Sequence, residues 1–544
     1  MSEAASEPPT RDPFAAYQCL AGRFDEAISP DGAPRAHTRR MLETLARLGE
    51  QRLVRAAERR ETIFLQQGIT FDSAGPDEGS GDRPFALDLI PRILTASEWN
   101  FISAGVAQRV KALNHFVSDV YGAREIVREG LVPWPLIASR PGFARPAHGI
   151  EPPNGVFCHV TGCDLVRDQA GEWRVLEDNV RVPSGISYVL ENRIAMGRML
   201  PELFGGYSVR PVANYPEFLF NALAAAAPSP RGRPTVVVWT PGPANSAYFE
   251  HAFLARQMGV ELVEASDLVV HDGTCFMKTT DGLARVDSIY RRIAEEFIDP
   301  VEFRPDSLLG VPGLVNAARL GNVAIANALG TGIADDKAIY HYVPTMIRFY
   351  LGEEPLLANV DTYLLGDPEQ LENVLGRLDQ LVVKPTGESG GKGVFIGPSA
   401  TEREMADVRA AIEADPANWI AQEVVWLSCA PTLTAAGTVA PRALDLRPFA
   451  VYGERIEIVP GGLTRVALGE GSMIVNSSQG GGSKDTWVLT EPDDDSLALA
   501  PGLTPQFEPP SLPALPQVPW ATQSQHQQQQ HARRVAAPPR AGIG

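Results

Sequence analysis

The chain lacks a basic excess: 48 Lys and Arg stand against 66 Asp and Glu in 544 residues, a formal net charge of −18. An extended phosphate-backbone interface usually shows as a basic domain or stripe, so this balance argues against nucleic acid as a partner. Long apolar runs are also missing. None approaches the roughly 20 residues of a spanning helix, and the start MSEAASEPPTRDPF has neither the basic flank nor the apolar core of a signal peptide. The expectation is a cytoplasmic protein with no membrane partner. Cysteine is scarce and scattered over Cys19, Cys158, Cys163, Cys275 and Cys429, and the Cys158/Cys163 pair has no second pair or histidine cluster to complete a zinc site. Buried, reduced thiols are expected.

What is present is ordinary globular composition, 44% hydrophobic and 21% charged, on a chain long enough for two or three domains. Apolar spacing predicts a helix over 41–64, a polar loop over 72–83, and two helices between Ser97 and Gly130. Short apolar runs at 156–160 and 173–178 read as strands, the second leading into NVRVPSGISYVLENR, where Pro and Gly stop the strand before a helix begins. After a Pro-rich break at 227–234, a strand at 235–242, a helix at 246–258 and the apolar run 259–270 alternate as βαβ. Further helices are expected over 311–328 and 334–351. From 381 to about 489 strands and one helix (401–414) alternate with an antiparallel bias. Beyond Glu491 the chain is Pro-rich and then Gln/His-rich, a composition expected to stay disordered.

Chemistry concentrates in VVKPTGESGGKGVFIG, residues 382–397. A strand ending in Lys384 runs into a Gly-rich loop whose N–H groups can approach an anion without Cβ obstruction. The loop is neither a Walker A nor a Rossmann turn, since Thr386, Gly393 and the glycine spacing all depart from those patterns. Spacing alone leaves a Gly-rich hairpin turn equally open. A carboxylate, Glu388, sits inside the loop, where a polyphosphate would be repelled unless a cation neutralised both. The second element is 177-EDN-179 at a strand end: residues i and i+2 share a side, so Glu177 and Asn179 can meet one ligand. A surface turn is the plainer explanation for EDN alone. Together with Glu388, these oxygen donors suit Mg²⁺, which takes one or two carboxylates and completes its shell with water and phosphate.

The combination of 177-EDN-179, 335-DDK-337, 384-KPTGESGGKG-393, 421-AQEVV-425 and 476-NSSQGGG-482 resembles circularly permuted type 2 ATP-grasp proteins. It is more distantly similar to glutathionylspermidine synthetase and eukaryotic-type glutathione synthetase. The resemblance implies a multidomain α+β and α/β architecture built on a permuted ATP-grasp fold. Its expected parts are a helical region (1–90), a part carrying the E-x-N motif (91–232), a small α/β domain (233–330), a nucleotide-binding region (331–490) and the tail (491–544). It implies ATP and Mg²⁺ as cofactors, with Glu177, Asn179 and Glu388 on the metal. Lys337, Lys384, Gly387, Ser389, Gly390, Gly391, Lys392, Gln422, Glu423 and Val424 are expected around the nucleotide. Lys484 is expected there too, in a second Gly-rich segment resembling a mobile nucleotide loop.

The implied reaction joins a small-molecule or peptide carboxylate to an amine through an acyl phosphate, and a homo-oligomer is compatible with it. Such a transfer needs positive charge around the phosphoryl group, which directs attention to Arg181, Arg292 and Arg447, with Arg193 and Arg291 nearby. Related synthetases carry an arginine before an aspartate upstream of E-x-N. Here that neighbourhood reads TGCD, without one. Ser184, Tyr188 and Asn192 are the expected contacts to the carboxylate substrate, helped by the helix N-terminus that Ser184 opens. Two rivals are a nucleotide-binding regulatory or scaffold protein that keeps the fold without turnover, and phosphoryl transfer to a histidine.

Overall fold

The computed structural model describes residues 11–71, 83–228, 232–387, 393–434, 436–476 and 480–490. The tail and residues 388–392 of the Gly-rich loop therefore lie outside the described residues. The chain opens with α1 (Arg39–Gln66), β1 (Leu87–Leu94) and α2 (Ala96–Tyr121). Thr95 starts α2 through a capping box with Glu98, so two orphan N–H groups are satisfied reciprocally. Then come β2 (Val160–Arg167), β3 (Trp173–Asn179) and α3 (Ile186–Met199). A parallel unit follows: β4 (Val236–Trp239), α4 (Tyr248–Met258), β5 (Glu261–Val263), β6 (Ser288–Arg291), α5 (Leu314–Arg319) and β7 (Ala324–Ala326). The last stretch holds β8 (Ala358–Asn359), β9 (Thr362–Leu364), β10 (Leu381–Pro385), β11 (Phe395–Ile396), α6 (Glu402–Ala414) and β12 (Trp419–Glu423). It ends with β13 (Phe449–Tyr452), β14 (Ile456–Ile458), β15 (Thr464–Val466) and β16 (Gly482–Val488).

Three sheets position the site. The five-stranded sheet runs β8-β3-β2-β13-β14, so β2 and β3, early in the chain, are extended by strands from beyond residue 357. A four-stranded antiparallel sheet, β9-β12-β10-β11, carries the strand that ends near the Gly-rich loop. The parallel unit is ordered β7-β6-β4-β5. α2 ties two of these together. Its Ile102, Val106 and Val110 share a core with Leu165 and Val175 of the five-stranded sheet, while Phe116, Val117 and Val120 share one with Trp239 and Ile293 of the parallel unit.

Several expected elements change form. The predicted helix over 311–328 is the short α5 followed by strand β7, whose three residues are all buried. A fully buried strand and a buried helix carry the same apolar signal, so periodicity cannot separate them. The predicted helix over 334–351 is broken into single turns, at Lys337–Tyr340, Val343–Met346 and Ile347–Leu351. The run 259–270 splits into β5 and a strand, Leu268–His271, that belongs to a separate three-stranded sheet. Among the described residues no helix is long and apolar enough to cross a membrane.

Candidate functional site

β3 delivers EDN with its three side chains divided between two faces. Between the paired positions Asp164↔Glu177 and Leu165↔Val175 the register shifts, a bulge that brings both Leu176 and Glu177 into one cleft. Asp178 faces the other way and forms a buried pair with Arg109 of α2, 2.5 Å apart with both side chains 1% exposed. Asn179 follows on the Glu177 side. Its Nδ2 is buried without a hydrogen-bond partner among the described residues.

The cleft lies between the five-stranded and four-stranded sheets and spans about 1130 Å³ of empty space, open solvent at its mouth included. One part is apolar, lined by Leu176, Val382, Ile396, Val425 and Val475. The other is charged, lined by Asp164, Glu177, Lys337, Lys384, Asp445 and Arg465. Lys384 stands on β10 opposite Ile420 of β12, and its Nζ reaches diagonally to donate to Gln422 Oε1 at 2.6 Å. Gln422 in turn donates to Thr362 Oγ1 at 3.1 Å, which fixes the lysine's height in the cleft. Burial pushes Lys384 down to about 8, with Glu177 opposing part of that shift.

Glu423, the next cleft residue, accepts from Tyr363 Oη at 2.7 Å and pairs with Arg377 at 2.8 Å. Val424 also lines the cleft. The segment DDK divides its labour. Asp335 accepts from the backbone N–H groups of Val180 and Arg181, Asp336 caps the next helical turn through Ala338 N, and Lys337 faces the cleft.

At the charged end, Asp164 of TGCD sits in a buried network of arginines. Arg447 grips Asp164 through Nε and Nη2, the latter at 2.8 Å, and reaches Glu177 at 4.0 Å. Gly162 makes this approach feasible, because a Cβ there would lie 3.1 Å from Arg447 Cδ. Arg465 donates to Asp164 Oδ2 at 2.7 Å, the oxygen that Arg447 Nη2 also holds, pairs with Asp445, and donates to Asn476 Oδ1 at 2.7 Å. Burial alone would raise the Asp164 carboxyl, but Arg447 and Arg465 outweigh it and hold it well below the ordinary range. Desolvation on the cleft floor, and then Asp164 itself, push Glu177 upward, although its side chain keeps 29% exposure. Asp164, Asp445, Arg465 and Asn476 were not singled out from the sequence. The alternation of Asp445 and Arg447 in LDLRPF, two residues apart on an extended segment, was the available signal.

Several expected site residues sit elsewhere. Lys484 lies on β16, with its side chain 0% exposed. It pairs with Asp88 and donates to the carbonyls of Ile90 and Pro431, so it is a core residue and not part of a nucleotide loop. Tyr188 is buried, stacked on Phe85 at 3.9 Å, with its hydroxyl on Thr70 O. Asn192 is buried against Ser483. Neither side chain is available to a substrate.

The N-terminus of α3, expected to take a substrate carboxylate, already holds one. Glu250 Oε2 accepts from Gly185 N, Ser187 N and Ser187 Oγ at 2.8–3.0 Å. Arg292 closes this cluster by donating to Ser184 Oγ, Pro183 O, Tyr290 Oη and Glu250 Oε1; only its buried Nε has no partner among the described residues. Arg292 and Ser184 therefore brace the turn after β3. Arg193 is likewise committed to Asp485 and Thr486 O, and Arg291 to the carbonyls of Asn327 and Ile293. Arg181 differs, with 34% of its side chain exposed and its carboxylate partner, Asp335, 3.9 Å away. Gly387 is at the edge of the described chain. Glu388, Ser389, Gly390, Gly391 and Lys392 lie outside the described residues.

The donor set can be tested against magnesium. Among the described residues no three His, Cys, Asp or Glu side chains come together as a metal cluster. Of the cleft's carboxylates, Asp164, Asp445 and Glu423 are held close by arginines, which leaves Glu177, 4.0 Å from Arg447 and beside Lys337 and Lys384, with Asn179 two residues further along the strand. That is a poor closed cage for Zn²⁺ or Ca²⁺ but fits Mg²⁺, which relies on water and substrate phosphate for most of its shell.

Residues 91–467 match the family described as circularly permuted ATP-grasp type 2. An uncharacterized protein of Synechocystis sp. is 52% identical over 467 residues, covering 86% of this chain and 97% of that protein. A Frankia alni protein, provisionally named a glutamate–cysteine ligase, is 45% identical over 491 residues, or 90% of this chain, which spans only 56% of that longer protein. A glutathione synthetase-like effector from Globodera pallida, in its apo form, shares the fold with a TM-score of 0.52 at 10% identity, covering 81% of this chain and 98% of its own.

Proposed function

Because the chain belongs to the circularly permuted ATP-grasp type 2 family, we propose that it is an ATP- and Mg²⁺-dependent carboxylate–amine ligase. It would activate a small-molecule or peptide carboxylate as an acyl phosphate and pass it to an amine. The observation that carries this reading is one cleft in which apolar side chains are joined by Glu177, Lys337 and Lys384. The relative's glutamate–cysteine ligase name supports the same reaction class, the joining of an acid to an amine.

Bound ATP would supply the phosphoryl group, and magnesium the neutralisation of its charge. Glu177 and Asn179 would hold the metal, with Glu388 as a further oxygen donor from the Gly-rich loop. Lys337 and Lys384 would hold the phosphates, while the apolar slot and the 422–424 strand edge would take the base. Each task is positional: no protein nucleophile is required, and the chain's work is to align reactants and exclude water. Arg447 is the arginine we assign to the transferred phosphoryl group, since it lies closest to Glu177 and already compensates Asp164. Arg181, at the turn after Asn179 and less committed, is assigned to the substrate's carboxylate.

The test is incubation with ATP, Mg²⁺ and paired pools of carboxylic acids and amines. ADP release is expected only when both pools are present, with a product whose mass is the sum of acid and amine less one water. ATP binding without ADP release in any pairing would favour the regulatory or scaffold reading. A stable phosphoprotein after incubation with γ-labelled ATP would favour phosphoryl transfer to a histidine.

A further inference from the structure

Val180, the residue after Asn179, has both of its backbone groups held by side chains from distant parts of the chain. Its N–H donates to Asp335 Oδ1 at 2.7 Å, and the same oxygen accepts from Arg181 N at 3.1 Å. Its carbonyl accepts from Asn327 Nδ2 at 2.6 Å. Asn327 is 2% exposed and spends the rest of its amide on Val160, donating to the carbonyl at 2.6 Å and accepting from the N–H at 2.7 Å.

These contacts join three functional elements. Val160 opens β2, which carries Asp164; Val180 follows β3, which carries Glu177 and Asn179; and Asn327 follows β7 at the edge of the parallel unit. Asp335 makes the corresponding link to the nucleotide side, because Lys337 lies two residues further on in the same short segment. Buried backbone groups must be satisfied, and any acceptor would do that. The choice of acceptor is what matters here. A carboxylate two residues from a cleft lysine, and an amide spanning β2 and the exit of β3, set the strand end relative to both.

We propose that Asp335 and Asn327 are positioning residues that hold Asn179 in register with Lys337, so that the metal donor and the phosphate-holding lysine are placed by one connected set of hydrogen bonds. This rests on the reading of Glu177 and Asn179 as magnesium donors. Groups that orient a metal ligand typically matter about ten- to hundredfold in metal affinity.

The test uses the full chain with the fluorescent nucleotide mant-ATP. In Asp335→Ala, the Mg²⁺ concentration for half-maximal mant-ATP binding should rise at least about tenfold. Affinity for mant-ATP without Mg²⁺ should stay at the wild-type level. Asp335→Asn keeps an acceptor oxygen for the two N–H groups and should recover most of the loss, which a charge effect on Lys337 would not allow. Hydrogen exchange of the peptide spanning 178–182 should quicken in Asp335→Ala and not in Asp335→Asn. A loosened 178–182 peptide with an unchanged Mg²⁺ requirement would overturn the proposal, as would an Asn variant as impaired as the Ala variant. Should the wild type bind mant-ATP with no Mg²⁺ dependence, the metal reading itself fails. The clamp is then decided by exchange alone, and unchanged protection of 178–182 in Asp335→Ala overturns it.

Discussion

Raising the pH through the range where Lys384 loses its proton is expected to weaken nucleotide binding and to make binding take up protons. Lys384 is 8% exposed and sits at about 8 against an ordinary 10.5, because burial disfavours its charge more than Glu177 restores it. On that basis it is roughly nine-tenths charged at pH 7 and roughly one-tenth charged at pH 9. If polyphosphate binds only the charged form, affinity falls about tenfold over that interval, about 1.4 kcal/mol. Titration calorimetry at pH 8.5 in buffers of different ionisation enthalpy should show uptake of roughly three-quarters of a proton per nucleotide. Lys384→Arg, always charged, should flatten both effects.

The same group also bears on stability without nucleotide. Between about 8 and 10.5 the unfolded chain holds the proton that the folded chain has released, so this group's contribution to stability rises with pH across that window. Below it, both states are charged and the cost of burying the ammonium is fully present. Affinity independent of pH from 7 to 9 in the wild type, with no proton uptake, would refute the placement of Lys384 at the phosphates.

Three further outcomes follow from the same geometry. Lys484→Met should cost about 3–5 kcal/mol in denaturant unfolding, because it strands the buried Asp88, yet leave the nucleotide affinity of the folded protein unchanged. Tyr188→Phe should lose about 1 kcal/mol of stability, measured the same way, with no change in KM for either substrate, since its hydroxyl serves Thr70 O. Glu388→Gln should raise the Mg²⁺ needed for nucleotide binding while circular dichroism stays that of the wild type; wild-type Mg²⁺ dependence would remove Glu388 from the metal.

The parts of the site that could be read in the sequence are those set by short-range pattern. Glu177 and Asn179 share a strand face because they are two residues apart, and Lys384 ends an apolar strand that needs no distant information to recognise. Helix α6 was equally plain, with Thr401 and Glu404 forming a capping box at its start. What failed depended on remote partners. Lys484 looked like a loop lysine beside glycines, but β16 pairs in parallel with β1, and Asp88, which neutralises it, comes from the other end of the chain. Arg447 was noticed without its reason, since Asp164 and Gly162 belong to β2. The α3 N-terminus was a sound anion site in principle; only the fold shows that Glu250 of α4 already fills it.

The proposed function requires one magnesium–nucleotide site assembled across the cleft from β3 and β10. Crystals grown with Mn²⁺ and a non-hydrolysable ATP analogue would test it through the anomalous signal of the metal. An anomalous peak within coordination distance of Glu177 and Asn179, with the analogue's phosphates against Lys337 and Lys384, is the predicted result. Nucleotide bound in the cleft with the metal peak away from both Glu177 and Asn179, or nucleotide bound outside the cleft altogether, would contradict it.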